Sequence, residues 1–198
     1  MKICVYTLGC KVNRYESDCI ISALRRKGYE VTDSLEPCDK YIINTCAVTK
    51  EAERKSRQAV TKINKLSADA DIYVIGCASQ YDATSFNKKG NVKYICGTEG
   101  KTDIINILDK EGVNVTELSD KYCDSFTESG FAPLSTRAFV KIQDGCDSFC
   151  SYCIIPHLRG RSRSRSPESI RREILSLSGS VKEIVLSGIN ISDYGRDY

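Results

Sequence analysis

The sequence lacks any apolar stretch approaching the roughly 18 residues that would cross a bilayer as a helix, which argues against a membrane span. It lacks the charged, then apolar, then small-residue layout of a secretory leader. Met1-Lys2 runs straight into Ile3-Cys4-Val5-Tyr6, so the expectation is a cytosolic protein with no membrane partner. It also lacks a strong charge of either sign. A formal net charge of +3, from 29 basic and 26 acidic side chains, does not by itself argue for nucleic acid. There is no repeat of solenoid period and no low-complexity tract beyond a short Arg-Ser alternation over 161–166. With 41% hydrophobic and 28% charged residues over 198 positions, the remaining reading is a globular chain holding one domain and part of another.

What is present is an alternation of β-rich runs and helical periodicity, the mark of a parallel sheet with crossover helices. Ile3 to Leu8 predicts a strand. Asn13, with Glu16 three residues on, predicts a capping box that opens a helix; Tyr15, Cys19, Ile20, Ala23 and Leu24 share one face of it, and Gly28 ends it. Strands at 30–32 and 41–45, a helix over 50–66, strands at 72–76 and 91–96 and a helix over 101–111 follow. Residues 1–112 therefore predict a three-layer, Rossmann- or flavodoxin-like α/β domain with a parallel sheet. Over 113–136 the periodicity fades into Ser, Thr, Asp, Glu and Gly, which predicts a linker or an edge segment. Residues 137–198 start again with a strand at 137–143, a cysteine loop, a helix from Pro167 and a buried strand at 183–186. That is the beginning of a (β/α) barrel, with too few strands to close one.

Eleven cysteines are many for a chain expected in a reducing compartment, where clustered cysteines mean metal or redox chemistry more often than disulfides. Cys146-x-x-x-Cys150-x-x-Cys153 puts three thiolates on one loop. A cubane [4Fe-4S] cluster is normally held by four, so three leave one iron open to a substrate's amino and carboxylate groups. An electron delivered there can break a neighbouring carbon-sulfur bond. Zinc is the rival reading. His157, four residues past Cys153, would complete a Cys3His tetrahedron, although Pro156 and the Cys-x-x-x-Cys interval fit no zinc-finger spacing. Gly145, ahead of the first cysteine, frees the backbone to wrap a cluster or simply to turn.

Cys10, Cys46 and Cys77 lie far apart in sequence, yet each follows a predicted strand. In a parallel sheet the carboxyl ends share one edge, where ligands bind. Three thiols therefore converge on a second candidate cluster site. Cys10 and Cys46 also precede predicted helix N-termini, where the dipole favours thiolate. Cys96 ends a strand too and competes for one ligand position. Cys4 and Cys19 fall on core positions and Cys38 and Cys123 in connections, and all four read as structural. Between His157 and Arg172 stand Arg159, Arg161, Arg163, Arg165, Arg171 and Arg172 against one acid, Glu168. This stripe suits phosphates, with Arg159, Arg161, Arg163 and Arg165 as the nucleic-acid contacts, or serves as a solvated connector.

On these motifs the chain resembles the radical-SAM superfamily, through the three cysteines of the 146–153 loop with an aromatic, Tyr152, before the last. More narrowly it resembles the methylthiotransferases. The likeness rests on 7–13 (Thr-Leu-Gly-Cys-Lys-Val-Asn) with Glu16-Ser17, on 44–49 (Asn-Thr-Cys-Ala-Val-Thr) with Lys55-Ser56-Arg57, on 76–80 (Gly-Cys-Ala-Ser-Gln), and on 145–165. These blocks, with Ser187-Gly188-Ile189-Asn190-Ile191 and Asp193-Tyr194-Gly195, are most similar to the branch that modifies threonylcarbamoyladenosine in tRNA. The resemblance implies two [4Fe-4S] clusters and S-adenosylmethionine. Cys146, Cys150 and Cys153 would hold the cluster that cleaves S-adenosylmethionine, and Cys10, Cys46 and Cys77 the auxiliary cluster that supplies methylated sulfur. Tyr152 would pack near the adenine, and Ser187, Gly188 and Asn190 would meet the cofactor's amino group. Asn13 and Asn44 flank the auxiliary site, to bond sulfurs or substrate, or simply as helix-cap and strand-end residues.

The target implied is carbon 2 of the modified adenosine at position 37 in the tRNA anticodon loop. Flavodoxin or ferredoxin would be the electron donor, and the sulfur donor stays open. Against the family pattern, most of the barrel and a C-terminal RNA-binding domain are not in the 198 residues, so the fragment alone is not expected to complete catalysis. The alternatives are a relative acting on isopentenyl-adenosine or a ribosomal-protein aspartate, and a non-catalytic iron-sulfur or zinc module.

Overall fold

A computed structural model of the chain describes residues 1–87, 90–119 and 136–197, with backbone only for 102 and 103. Cys123 and most of the expected linker lie outside the described residues. The first part forms one six-stranded sheet: β1 (Lys2–Thr7), β2 (Glu30–Thr32), β3 (Lys40–Thr45), β4 (Asp71–Gly76), β5 (Val92–Cys96) and β6 (Gly112–Asn114). The order is β2-β1-β3-β4-β5-β6, and every pairing is parallel. β6 was not expected as a strand. Its pairing of Ile95 with Val113 and Cys96 with Asn114 carries the sheet past residue 112, so the segment expected as linker or edge begins as an edge.

Covered on both faces, the central strands are near-continuous apolar runs, and alternate residues serve two cores. Tyr41, Ile43 and Val74 pack with Ala59, Val60 and Ile63 of α2 (Lys50–Leu66) and with Phe86. Ile42, Tyr73 and Ile75 pack with Ile20, Ile21 and Leu24 of α1 (Lys11–Arg26) and with Ile104 and Leu108. The three layers expected from sequence are present. α2 begins as local chemistry dictates, with the Thr49 hydroxyl accepting from the Ala52 N–H at 3.1 Å and Glu51 and Glu53 in the first turn.

Two helix expectations need correction. α1 starts at Lys11 with Cys10 as its N-cap, so Asn13 and Glu16 form no capping box; both are buried within the helix. The helix expected over 101–111 is a 3-10 segment, Lys101–Asn106. Beyond it the Leu108 carbonyl is taken by Lys40 Nζ at 2.7 Å and by the Tyr73 hydroxyl, tertiary bonds that replace helical ones.

The short helices α3 (Cys77–Tyr81) and α4 (Thr84–Asn87) follow β4. After residue 136, β7 (Arg137–Lys141) leads into β8 (Gln143–Asp144), the cysteine loop, α5 (Ile155–Arg159), β9 (Arg163–Ser164), α6 (Pro167–Leu177) and β10 (Glu183–Ser187). β7 and β10 pair in parallel, and β8 and β9 antiparallel. Ala138, Val140, Ile142, Ile170 and Leu177 make a small core. β10, expected to be buried, is mostly not: Leu186 is 46% exposed, because β7 is its only strand partner among the described residues. Among the described residues no helix is long and apolar enough to cross a membrane.

Candidate functional site

The strand order reverses direction at β1, whose neighbours are β2 and β3, and ligands of doubly wound sheets bind at such a switch point beyond the strands' carboxyl ends. Cys10 follows β1, Cys46 follows β3 and Cys77 follows β4, and all three line one cleft of about 610 Å³. Close approach there requires glycine. A Cβ on Gly9, which has φ of +109°, would stand 2.8 Å from Cys46 Sγ. Cys46 itself is buried, and its backbone N–H donates to Ser56 Oγ of α2 at 3.1 Å while that hydroxyl returns a bond to the Cys46 carbonyl at 3.0 Å. This accounts for Ser56 in the second sequence block. Burial pushes the Cys46 thiol up, with Cys77 and Cys10 adding to it and the Val48 N–H opposing.

The helix-terminus expectation holds for Cys10 but not for Cys46, which lies four residues before α2. Cys77 instead begins α3. Cys96 faces the opposite core, where its thiol meets the Glu99 carbonyl at 3.0 Å, and it does not line the cleft. Cys4 and Cys19 are buried as expected.

Beneath the cleft runs a buried polar network joining the two parts of the chain. Asn13 Nδ2 donates to the carbonyls of Leu8 (2.8 Å) and Thr45 (2.9 Å), tying together the turns that carry Cys10 and Cys46. Its Oδ1 accepts from Arg159 Nη2 at 2.6 Å. Asn44 Nδ2 donates to the Asn13 carbonyl and to Ser17 Oγ, each at 3.0 Å. Glu16 takes Lys101 at 2.6 Å, Arg159 at 2.9 Å and Lys141 at 3.2 Å, and Asp144 takes Lys141 at 3.0 Å and Arg159 at 3.1 Å. Burial alone would push the Glu16 carboxyl up, but Arg159, Lys101 and Lys141 outweigh it and hold the group well below the usual carboxylate range. Asp144 is depressed by Lys141 and Arg159 in the same way, against its burial.

Three of the four arginines expected as nucleic-acid contacts therefore lie in the interior, while Arg161, Arg171 and Arg172 stay exposed. Arg159, Arg163 and Arg165 are buried; Arg163 pairs with Glu99 at 3.0 Å, and Arg165 with Glu173. Only Arg161 of the four is exposed, beside Asp147 and the Phe149 ring. Arg159 and Arg163 meet carboxylates far away in sequence, and Arg165 meets one eight residues on.

The second cysteine set sits on the loop between β8 and α5. Cys150 is exposed, and Cys146 and Cys153 are half-buried. The Cys146 N–H donates to the Gly160 carbonyl at 3.1 Å, and any Cβ on Gly145 would collide with the Arg161 carbonyl. Gln143 joins this loop to the one after β10. Its Nε2 donates to the Gly145 carbonyl (2.8 Å), and its Oε1 accepts from the N–H groups of Ile189 (3.0 Å) and Asn190 (2.9 Å). Ser187 and Gly188 line the cleft with the first cysteines, whereas Asn190 turns its amide to Asp193 at 2.7 Å. Tyr152 is 90% exposed, and neither it nor the cysteines of its loop line the cleft. His157 packs edge-on against Phe149, with ring centroids 5.8 Å apart.

Residues 2–97 match a family described as Uncharacterized protein family UPF0004, and residues 140–198 match the Radical SAM superfamily. Over 202 residues the chain is 36% identical to the threonylcarbamoyladenosine tRNA methylthiotransferase MtaB of Bacillus subtilis, covering 98% of this chain and 45% of that protein. The chain joins a UPF0004 region to a radical-SAM region. The MtaB of Chlamydia pneumoniae is 40% identical, over 94% of this chain and 43% of its own length. The tRNA-2-methylthio-N(6)-dimethylallyladenosine synthase of Lawsonia intracellularis is 36% identical, over 98% and 46%. The chain spans about half the length of the curated relatives it matches.

Radical-SAM membership implies a [4Fe-4S] cluster and S-adenosylmethionine, and the donors fit both. Each cysteine set is all-thiol, the chemistry iron-sulfur clusters take. Among the described residues no three His, Cys, Asp or Glu side chains gather around a single ion position. A cubane binds its thiolates to separate irons and does not demand such a point. The Ser187 hydroxyl, at the cleft wall, is buried with no hydrogen-bond partner among the described residues, as a group awaiting a polar ligand would be. Sequence reading missed Gln143, Asp144, Lys101 and Lys141. Lys141 and Gln143 alternate with Ala138, Val140 and Ile142 and so read as the solvent face of a strand, and nothing in the sequence names the partners of any of the four.

Proposed function

We propose that the protein to which this chain corresponds adds a methylthio group to carbon 2 of N6-threonylcarbamoyladenosine at position 37 of tRNA, in the cytosol, using two clusters. The observation that carries the reading is the shared cleft: three cysteines from three strand ends of the UPF0004 part meet Ser187 and Gly188 of the radical-SAM part. When bound, the clusters and S-adenosylmethionine supply the electron transfer and radical chemistry that an unactivated aromatic C–H bond requires.

The chain's own residues do the holding. Cys146, Cys150 and Cys153 would hold one cluster, and Cys10, Cys46 and Cys77 would hold the other. Ser187 accepts from the amino group of S-adenosylmethionine, beside Gly188. Val48, Ile155, Leu186 and Ile191 give the cleft apolar walls that suit a planar base. An external low-potential protein such as flavodoxin or ferredoxin delivers electrons.

The threonylcarbamoyl branch is favoured by the names of the Bacillus and Chlamydia relatives and by the sequence blocks above. The Lawsonia relative supports a second reading, action on a dimethylallyl-adenosine. Nucleoside mass spectrometry of tRNA from a strain deleted for the gene separates them. Loss of the methylthio mark from threonylcarbamoyladenosine alone is expected, and loss from the dimethylallyl nucleoside would replace this reading with the second. Anaerobic reconstitution tests the clusters: two cubanes' worth of iron is expected, and zinc with negligible iron would overturn the proposal.

A further inference from the structure

We propose that Arg159, which belongs to the radical-SAM part of the chain, is a positioning residue for the other part's cysteine site and sets the reduction potential of a cluster held by Cys10, Cys46 and Cys77. This rests on the reading that those cysteines hold a cluster. Arg159 is 2% exposed and lines the same cleft as the three sulfurs. Its Nη2 is bonded to Asn13 at 2.6 Å, and Asn13 holds the Leu8 and Thr45 carbonyls just ahead of Gly9-Cys10 and Cys46. Its Nη1 is bonded to Glu16 at 2.9 Å and to Asp144 at 3.1 Å. A guanidinium is a rigid planar fork that cannot lose its proton, so these contacts fix both its charge and its direction. On the backbone side, the carbonyl of the next residue, Gly160, receives the Cys146 N–H at 3.1 Å. One short segment thus braces both cysteine sites.

A cluster that takes up an electron gains a negative charge, and net charge and hydrogen bonding around the sulfurs set its potential. A fixed cation in a poorly screened wall favours the reduced form. Removing that cation lowers the potential, and removing the neighbouring carboxylate of Glu16 raises it. Loosened packing does not predict opposite signs for the two changes.

The test is a mediated redox titration, read by visible absorbance and electron paramagnetic resonance. It uses the full chain in a Cys146→Ala, Cys150→Ala, Cys153→Ala background, so that only the first site loads iron. Arg159→Gln is expected to lower the reduced-to-oxidised ratio at fixed solution potential about tenfold or more, which is about 59 mV for a one-electron couple. Arg159→Lys, which keeps the charge, is expected to stay within about threefold of the parent, and Glu16→Gln to move the ratio upward. Equal potentials in all three variants at full iron content would overturn the proposal. If Arg159→Gln does not fold, Glu16→Gln decides: an upward shift supports the role and no shift overturns it. Absence of iron from the parent background would sink the cluster reading itself, and this inference with it.

Discussion

The two cysteine sites are assembled on opposite terms. Cys10, Cys46 and Cys77 come from three strand ends of one sheet, and two of the three are buried; the turns of Cys10 and Cys46 are joined through Asn13, and Ser56 braces Cys46. Cys146, Cys150 and Cys153 come from a single loop, more exposed, flanked by the small core of Ala138, Val140, Ile142, Ile170 and Leu177. Where neighbours in sequence supply the thiols, spacing carries the geometry and little burial is needed. Where distant residues supply them, the whole sheet must form first.

That contrast can be broken or sharpened. The largest expected effect is at the glycines. Gly9→Ala, which would press a Cβ to 2.8 Å from Cys46 Sγ, is expected to abolish iron loading at the first site and leave the second loaded. Gly145→Ala is expected to do the reverse. Site-resolved Mössbauer spectroscopy with iron-57 checks both, and loss at both sites from either change would refute their independence.

Next comes the charge network that links the parts. Glu16→Ala leaves Lys101, Lys141 and Arg159 short of a buried carboxylate and is expected to cost about 3–5 kcal/mol in urea unfolding. Packing separates the regions more gently. Ile42→Ala, in the fully buried centre of β3, is expected to cost about 2–5 kcal/mol. Leu186→Ala on exposed β10 is expected to change stability by no more than about 0.5 kcal/mol.

The pH dependence has two limbs. Glu16 and Asp144 have depressed pKa values, so the stability they contribute is present above the ordinary carboxylate values of 4.5 and 3.8 and is lost as pH falls through their folded ones. Burial pushes Asp18 up to about 6 despite Arg14. Its contribution is present below 3.8 and lost as pH rises through about 6. Urea midpoints between pH 3 and 8 record the onset of the lower limb and the whole of the upper one, and Asp18→Asn is expected to flatten the upper one. The smallest effect is at Arg161→Ala. Its exposed pair with Asp147 is worth at most about 1 kcal/mol, whereas Arg165→Ala in the interior is expected to cost several times more.

Much of this is legible in the sequence. The strands of the first sheet, helix α2, the restart at Arg137 and both cysteine sets follow from periodicity and spacing. The failures share one cause. Asn13 and Glu16 match a helix-start pattern, yet the helix begins earlier, at Lys11 with Cys10 as its N-cap, and carries them inward to serve as tertiary partners for Arg159 and Lys101. The arginines of 159–165 match a surface stripe, yet Glu99, Glu16 and Glu173 draw three of them inside. Local patterns report polarity and cannot report which distant carboxylate will satisfy it.

By itself the sequence determined the layered α/β fold, because period-2 and period-3.6 burial are written in neighbouring residues. It determined the 146–153 cysteine motif, because that chemistry is set by intervals of a few residues. Only the tertiary structure decided that Cys10, Cys46 and Cys77 share a cleft with Ser187 and Gly188 while Cys96 does not. It also decided that Arg159 belongs to that cleft instead of to a phosphate surface. A buried charge is tolerated only beside its partners, and those partners are brought together by the fold and not by the order of the chain.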